Sequence, residues 1–253
     1  MSTYGDAHAA WYDELYRSLG KDHVTEAQRL LDRVSDLLGH VPASWLDVAC
    51  GTGQHLAVIG DAVGDVVGVD LSEPMLDVAR ARLGGRVELR VADQRELDLG
   101  RRFEVVTSLF SSIGYASDAA ELDDIVAALA AHVALGGLLV IEPWVEPDDW
   151  RDERTQVVDV EEGGRRAVRV ITSRREGDVS VLEVAVVSAA AGRLTVERED
   201  HRMLLVPHER LLAAVAATGL EVVSDVRPSP PPTGDGPPDR GLVIARRPAE
   251  GAA

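Results

Sequence analysis

The chain has 253 residues, of which 45% are hydrophobic, and a formal net charge of −17. That length and apolar content allow one large domain, or a core that carries an insertion. The charge argues against a nucleic-acid partner, which demands a basic face, and the single cysteine, Cys50, excludes an intramolecular disulfide framework.

No apolar run reaches transmembrane length, and the N-terminus lacks a basic region followed by a hydrophobic stretch. We therefore expect a cytoplasmic protein with no membrane association. Residues 5–39 read as two helices, the second marked by the stripe Ala27, Leu30, Leu31, Val34, Leu37 and Leu38. A strand follows at 43–48, then a glycine turn and a helix after Gly53. A second strand ends at Asp70. The next helix opens at Ser72-Glu73-Pro74-Met75, a capping serine with an early proline. A third strand runs to about 91, and Phe103–Leu109 reads as a fourth. The following helix starts near Asp118, with Glu121 three residues on as in a capping box. Its apolar face comprises Leu122, Ile125, Val126, Leu129 and Val133, and Gly136-Gly137 is expected to stop it. Leu138–Ile141 is a continuous apolar run, as in a parallel sheet covered on both faces. This alternation implies a doubly wound, Rossmann-like α/β core.

The pattern changes near residue 150. Residues 155–206 show no helical stripe. Extended runs at Ala167–Thr172, Val179–Val187 and Arg193–Val206 are separated by Gly163-Gly164, Gly177-Asp178 and Gly192. We read 151–206 as an inserted antiparallel sheet, flanked by core segments 1–150 and 207–253. Its arginines, Arg165, Arg166, Arg169, Arg174 and Arg175, read as a solvated face. Helical spacing returns at Leu211, Leu212, Val215 and Ala216, followed by a strand at 220–226. Six prolines among residues 228–238 read as a semi-rigid or disordered loop before a last strand at 241–245.

Three acids close three successive strands: Asp47 just before the glycine turn, Asp70, and Asp93. At the strand ends of an open α/β sheet they outline a nucleoside site. Gly51 and Gly53 let backbone approach a ligand. Asp70 is placed for a ribose diol and Asp93 for an exocyclic amine such as adenine N6. Two cofactors compete for this pattern. A dinucleotide turn wants a small residue at its third position, and here that residue is Leu56. Asp47 would repel a pyrophosphate but suits the ammonium of a methionine moiety. The residues thus favour S-adenosylmethionine over NAD, with a dehydrogenase as the distant alternative. Cys50 reads as a small packing residue of the turn and His55 as a packing or surface histidine. His132 and His201 lack metal-ligand spacing, so no metal is expected.

The segments Leu46–Leu56, Leu99–Phe103, Phe110–Tyr115, Glu142-Pro143-Trp144 and Arg240-Gly241-Leu242, with Tyr4 and Trp11-Tyr12-Asp13, carry a resemblance. They resemble class I S-adenosylmethionine-dependent methyltransferases, and more narrowly the dTDP-amino-sugar N,N-dimethyltransferases of the desosamine and mycaminose type. The resemblance covers nearly the whole chain. It implies that Ala49, Gly51 and Gly53 approach the methionine part of the cofactor, with Asp47 nearby. It further implies Asp70 on the ribose, Leu71 and Met75 beside the adenine, Asp93 on N6 and Gln94 beside the ring. Phe110 joins the cofactor set, and Tyr4 closes over it. Tyr115 and Trp144 would face the sugar, and Arg240 the nucleotide diphosphate. Tyr115 is the candidate for orienting the amine or relaying its proton, although an ordinary phenol, with a pKa near ~10, is a poor base. The chain departs from the family at His23, at Glu146 and in the proline-rich loop, all on the substrate side. The insertion reads as either a wall of the substrate pocket or a homodimer interface. The alternatives are a methyltransferase for another small-molecule nitrogen or oxygen, and a cofactor-binding protein without turnover.

Overall fold

The computed structural model describes residues 4–227 and 241–249. Two helices, α1 (Asp6–Ser18) and α2 (His23–Leu38), precede β1 (Ser44–Val48). Then come α3 (Gln54–Ala62), β2 (Asp65–Asp70), α4 (Glu73–Leu83), β3 (Glu88–Val91), β4 (Phe103–Ser108), α5 (Ala119–Ala131) and β5 (Val133–Ile141). The chain continues through β6 (Thr155–Glu162), β7 (Arg165–Glu176), β8 (Val179–Ala190) and β9 (Arg193–Leu204), returning in α6 (His208–Ala217), β10 (Glu221–Val226) and β11 (Leu242–Arg246).

One seven-stranded sheet has the order β10-β11-β5-β4-β1-β2-β3. Parallel pairing joins β1 to both β2 and β4. The order therefore reverses beside β1, and the strands' carboxyl ends open a crevice there. The fold is the Rossmann-like α/β class expected, with one refinement: β11 lies antiparallel to both β5 and β10. Residues alternate between the two covered faces. Leu46 and Val48 pack with Leu122, Ile125 and Leu129 of α5 and Leu211 of α6. Trp45 packs with Leu30, Leu31 and Val34 of α2 and Leu56 of α3 on the other face. Ser72 caps α4, accepting from the Met75 amide, and Asp118 caps α5, accepting from the Ala120 and Glu121 amides.

The stop of α5 differs from the expectation. The helix ends at Ala131, and Val133 is already strand. His132 makes the break. Its Nδ1 lies 2.7 Å from the Ala128 carbonyl, and its Nε2 accepts from the Leu99 amide at 3.0 Å. Gly136-Gly137 instead lies inside β5, where the register against β4 jumps between the Phe103–Val133 and Val105–Leu138 pairs. A Cβ on Gly137 would come within 2.6 Å of the Glu104 carbonyl, so only glycine lets the strands approach.

The second sheet is an antiparallel meander, β6-β7-β8-β9. The strand β6 was absent from the extended runs, because its Asp and Glu residues mask the alternation. Asp159 and Glu161 occupy its exposed face, while Val158 and Val160 point inward and pack under Trp11 and Leu15 of α1. The proline-rich segment and Arg240 lie outside the described residues.

Candidate active site

A cavity of about 890 Å³ opens between the carboxyl ends of β1, β2 and β4, helix α1, and the inward face of the second sheet. Its lining includes most of the sequence-predicted site residues: Tyr4, Ala49, Gly51, Asp70, Leu71, Met75, Asp93, Gln94, Phe110, Tyr115 and Trp144.

On the β1–β2 side the glycine turn is held from below. Asp70 accepts from the Gly51 amide at 2.7 Å and the Ser72 amide at 2.8 Å, while burial raises its pKa. A Cβ on Gly51 would meet nothing within 4 Å, which is open space above the turn for a ligand. Thr52 donates to Asp13 of α1 at 2.7 Å, and Arg82 of α4 pairs with the same carboxylate. The N-terminal helix is thereby fixed over the turn. Asp93 caps a 3-10 turn at Gln94–Glu96 and also holds Arg95. Gln94 donates to the Ser112 carbonyl at 3.0 Å.

Two predicted residues are not on the wall. Asp47 is 2% exposed beneath the turn, accepting from Thr107 at 2.7 Å, and burial pushes its pKa up to about 6. Gly53 caps α3 in a left-handed conformation, where a Cβ would press on Ala79 and Leu83 at 3.1 Å. Its glycine serves the packing of α3 on α4. Burial raises the Cys50 thiol pKa well above its ordinary value, so it stays protonated.

The Phe-Ser-Ser-Ile-Gly and Glu-Pro-Trp segments leave neighbouring strands and lock to each other. Phe110 and Ser111 both adopt positive φ, 54° and 62°, a conformation that is costly for a bulky side chain. It is held by the Phe110 amide donating to Glu142 at 2.8 Å and Ser111 donating to the Pro143 carbonyl at 2.8 Å. Gly114 lets Trp144 approach, for a Cβ would lie 2.9 Å from the Trp144 Cβ. The Trp144 indole donates to Ser180 at 2.9 Å, which fixes it against the second sheet.

Sequence reasoning missed the groups behind Tyr115. The Tyr115 hydroxyl lies 2.6 Å from His201 Nδ1, and His201 Nε2 lies 3.2 Å from Glu199 Oε2. The same carboxylate oxygen lies 2.6 Å from His8 Nδ1. Burial alone would raise Glu199, but the hydrogen bonds from His201 and His8 outweigh it and hold the pKa at about 2. An ionised Glu199 requires N–H on both facing imidazole nitrogens. In the neutral imidazole of His201, Nδ1 is then the acceptor, and Tyr115 donates to it. Burial pushes the Tyr115 phenol well above its ordinary range, so it is neutral. The Tyr4 hydroxyl lies 3.3 Å from that of Tyr115. A local signal existed: Glu197, Glu199 and His201 alternate on one strand face, and that face is the inward one.

Two groups have metal-ligand composition, His8–Glu199–His201 and His23–Glu26–His55. In the first the carboxylate is occupied by the two imidazoles, and in the second Lys21 sits 2.9 Å from Glu26. One reading is overturned: Arg169 is not on a solvated face but 1% exposed, facing the cavity.

This fold and crevice define an S-adenosylmethionine-dependent methyltransferase. Residues 46–137 match the family described as a methyltransferase domain. The chain is 39% identical to dTDP-3-amino-3,6-dideoxy-alpha-D-glucopyranose N,N-dimethyltransferase of Streptomyces fradiae, across 99% of this chain and 95% of the relative. It is 39% identical to dTDP-3-amino-3,4,6-trideoxy-alpha-D-glucopyranose N,N-dimethyltransferase of Streptomyces venezuelae, across 85% and 90%. Among solved structures it superposes on Streptomyces venezuelae DesVI with TM-score 0.85 and 37% identity, covering 97% of this chain and all of that one. SAM-bound CalS10, an amino pentose methyltransferase from Micromonospora echinaspora, gives TM-score 0.78 and 36% identity, over 93% and 96%. The chain belongs to the family of dTDP-amino-sugar N,N-dimethyltransferases.

Proposed function

We propose that this enzyme methylates the amine of a dTDP-activated deoxyamino sugar, and does so twice, in the making of an antibiotic sugar. The observation that carries the reading is the near-full-length identity to enzymes of that activity, joined to a cavity whose far wall presents a buried, neutral phenol. The open space above Gly51 and the amide-held Asp70 fit S-adenosylmethionine. Asp70 would hold the ribose and Leu71, Met75, Asp93 and Gln94 the adenine end. Ala49, Gly51 and Phe110 would flank the methionine end, with Asp47 beneath it, and Tyr4 would close over the whole. When bound, S-adenosylmethionine supplies an electrophilic methyl on its sulfonium.

The chain's own residues then orient the amine. Tyr115 gives its single proton to His201, so its oxygen faces the cavity as an acceptor. An amine N–H bound there turns its lone pair away from the phenol. Trp144 forms the adjoining wall. After attack the nitrogen is cationic and becomes the neutral product by losing one of the protons it already held. That proton passes to the Tyr115 oxygen while the phenol proton moves to His201 Nδ1, and Glu199 stabilises the resulting imidazolium. A poor base thus relays to a better one, and positioning supplies much of the rate, of a possible ~7–11 kcal/mol for a well-oriented pair. Arg240, outside the described residues, stays our candidate for the diphosphate.

The second sheet, residues 151–206 between core segments 1–150 and 207–253, serves on both faces. Its inner face walls the acceptor chamber, and its outer face forms a homodimer. The net charge of −17 supports the absence of a nucleic-acid partner. No helix of the described residues is long and apolar enough to cross a membrane, and a cytoplasmic setting belongs to the same reading. The test is mass spectrometry of dTDP-3-amino- and dTDP-4-amino-deoxysugars incubated with enzyme and S-adenosylmethionine. Gains of one and two methyl masses are expected. No gain on any sugar, with cofactor bound, would transfer the enzyme to another small-molecule acceptor.

A further inference from the structure

Arg169 sits in the middle of β7, paired in register with Val158 on one side and Val186 on the other. It is 1% exposed. Its Nε and Nη1 have no hydrogen-bond partner, and no carboxylate of the described residues forms an ion pair with it. Its guanidinium lies over the Tyr16 ring, 4.7 Å from the centroid. Buried charges are ordinarily paired, because an unpaired one forfeits its hydration for nothing. Scarcity of acids is not the cause, since the chain has 43 Asp and Glu against 26 Lys and Arg. Neighbouring arginines of the same sheet do find partners: Arg166 holds Asp159, and Arg174 holds Glu176 and Glu183. Arg169 instead borders the cavity, with its unpaired Nε and Nη1 buried in the wall beside Tyr16.

We propose that Arg169 is an anion-binding residue whose partner is the diphosphate of the acceptor nucleotide. A planar guanidinium with two free N–H groups matches phosphate oxygens in bidentate fashion. The reaction presents two anions, the cofactor's methionine carboxylate and the acceptor's diphosphate. Position decides between them. Tyr16 carries Arg169 on its ring and touches Phe110, centroid to centroid 4.8 Å. Phe110 in turn already has a cation, with Lys21 Nζ 4.5 Å from its centroid. Arg169 belongs to the sheet wall, which it shares with Gln156 and Arg154. This assignment rests on the nucleotide-sugar reading above. It adds a phosphate contact inside the inserted sheet.

The experiment is calorimetric titration of dTDP, thymidine and S-adenosylmethionine into wild-type enzyme, Arg169→Met and Arg169→Lys. Met keeps the apolar stem without the charge, and Lys keeps the charge without the fork. For Arg169→Met we expect dTDP affinity to fall at least tenfold, with thymidine and cofactor affinities within twofold of wild type. For Arg169→Lys we expect a smaller loss for dTDP alone. Removing an unpaired buried cation should leave the melting temperature of the free enzyme equal or higher. If Arg169→Met fails to fold, Arg169→Lys decides by the same dTDP ratio. Unchanged dTDP affinity in a folded variant overturns the proposal while leaving the acceptor class intact. A loss confined to S-adenosylmethionine overturns it in favour of the carboxylate. A wild-type enzyme that binds cofactor but not dTDP overturns the nucleotide-sugar reading, and this proposal with it.

Discussion

Two buried acids in this molecule are driven in opposite directions, and each makes a pH prediction. Asp47 has apolar surroundings and one hydroxyl donor, Thr107, so burial raises it to about 6. A folded-state value above the unfolded one means that its stability contribution is complete below about pH 4 and is lost as the pH rises through about 6. The loss reaches the order of 3 kcal/mol. A cofactor ammonium above it would restore the ionised form. Titrating S-adenosylmethionine at pH 6 in buffers of different ionisation enthalpy should therefore reveal release of a fraction of a proton. Asp47→Asn should release none; equal release from both proteins would remove Asp47 from the ammonium site. For Tyr115 the decisive neighbour is His201. We expect His201→Phe to lower kcat roughly 10- to 100-fold, below the full range for general acid–base catalysis because a neutral amine attacks unaided. KM should stay within threefold, and Tyr115→Phe should show a similar kcat loss. A wild-type kcat in His201→Phe would confine Tyr115 to shape and hydrogen bonding. Tyr115 was legible because a local segment carries it. His201 and Glu199 were not, because their link to it spans 86 residues of sequence and is created only by the fold of β9.

Helix α1 shows the same limit at the scale of an element. Its apolar spacing is legible in the sequence, but its cap is not. Gly5 occupies the N-cap without a side chain to offer. The orphan amides of the first turn are taken instead by β9. Glu197 accepts from the Ala7 and His8 amides at 3.0 and 3.1 Å, and Glu199 accepts from Gly5 at 2.7 Å. Carboxylates at a helix N-terminus also meet the positive end of its dipole. Because α1 carries Tyr12 and Tyr16 and directs Tyr4, these two glutamates set one wall of the cavity from 190 residues away. Glu197→Ala should cost about 1 kcal/mol, as loss of a cap does, and lower the melting temperature by about 2–4 °C in a chain of this size. Hydrogen exchange at Ala7 and His8 should accelerate, and S-adenosylmethionine should bind more weakly. Faster exchange with unchanged cofactor affinity would separate the helix from the site. Glu199 adds an acid limit. Held at about 2, below its ordinary value, it stabilises the fold above about pH 4.5, and that stability is lost as the pH falls toward 2. The elements themselves were largely readable, since α2, α4 and α5 announce themselves by period and cap. The failures share a cause. Gly136-Gly137 looks like a helix stop, and acidic β6 shows no extended run of its own. Only the pairing partners, β4 for one and β7 for the other, make them strands.

At the scale of the molecule, the two faces of the inserted sheet answer different demands. The inward face carries Arg169, Ile171, Ser173, Leu182, Val184, His201 and Met203, all on the cavity. The outward face carries Val157 opposite Val170, and Val196 opposite Val187, with Leu194 further along β9. Val157 is 63% exposed, Val196 56% and Leu194 70%. Single apolar residues on a surface need no account, but two offset apolar pairs that together touch all four strands do. Charged pairs border them, Arg166 with Asp159 and Arg174 with Glu183, the composition of an apolar patch within a polar rim. We propose that a second copy of this chain covers this face, because Arg198, Asp200 and Arg202 alternate in sign along its β9 edge and a two-fold axis can bring unlike charges together. A chain of net charge −17 also repels its own copies at long range, so apolar contact must drive the association and added salt should strengthen it. Light scattering coupled to gel filtration should therefore give twice the chain mass at micromolar concentration. The double substitution Leu194→Glu, Val196→Glu should give a monomer that keeps its fold. Cofactor affinity should persist in that monomer, since neither side chain lines the cavity. A wild-type enzyme that runs as a monomer at high and low salt would leave the outer face without its proposed partner, and the wall of the acceptor chamber would be the sheet's one role.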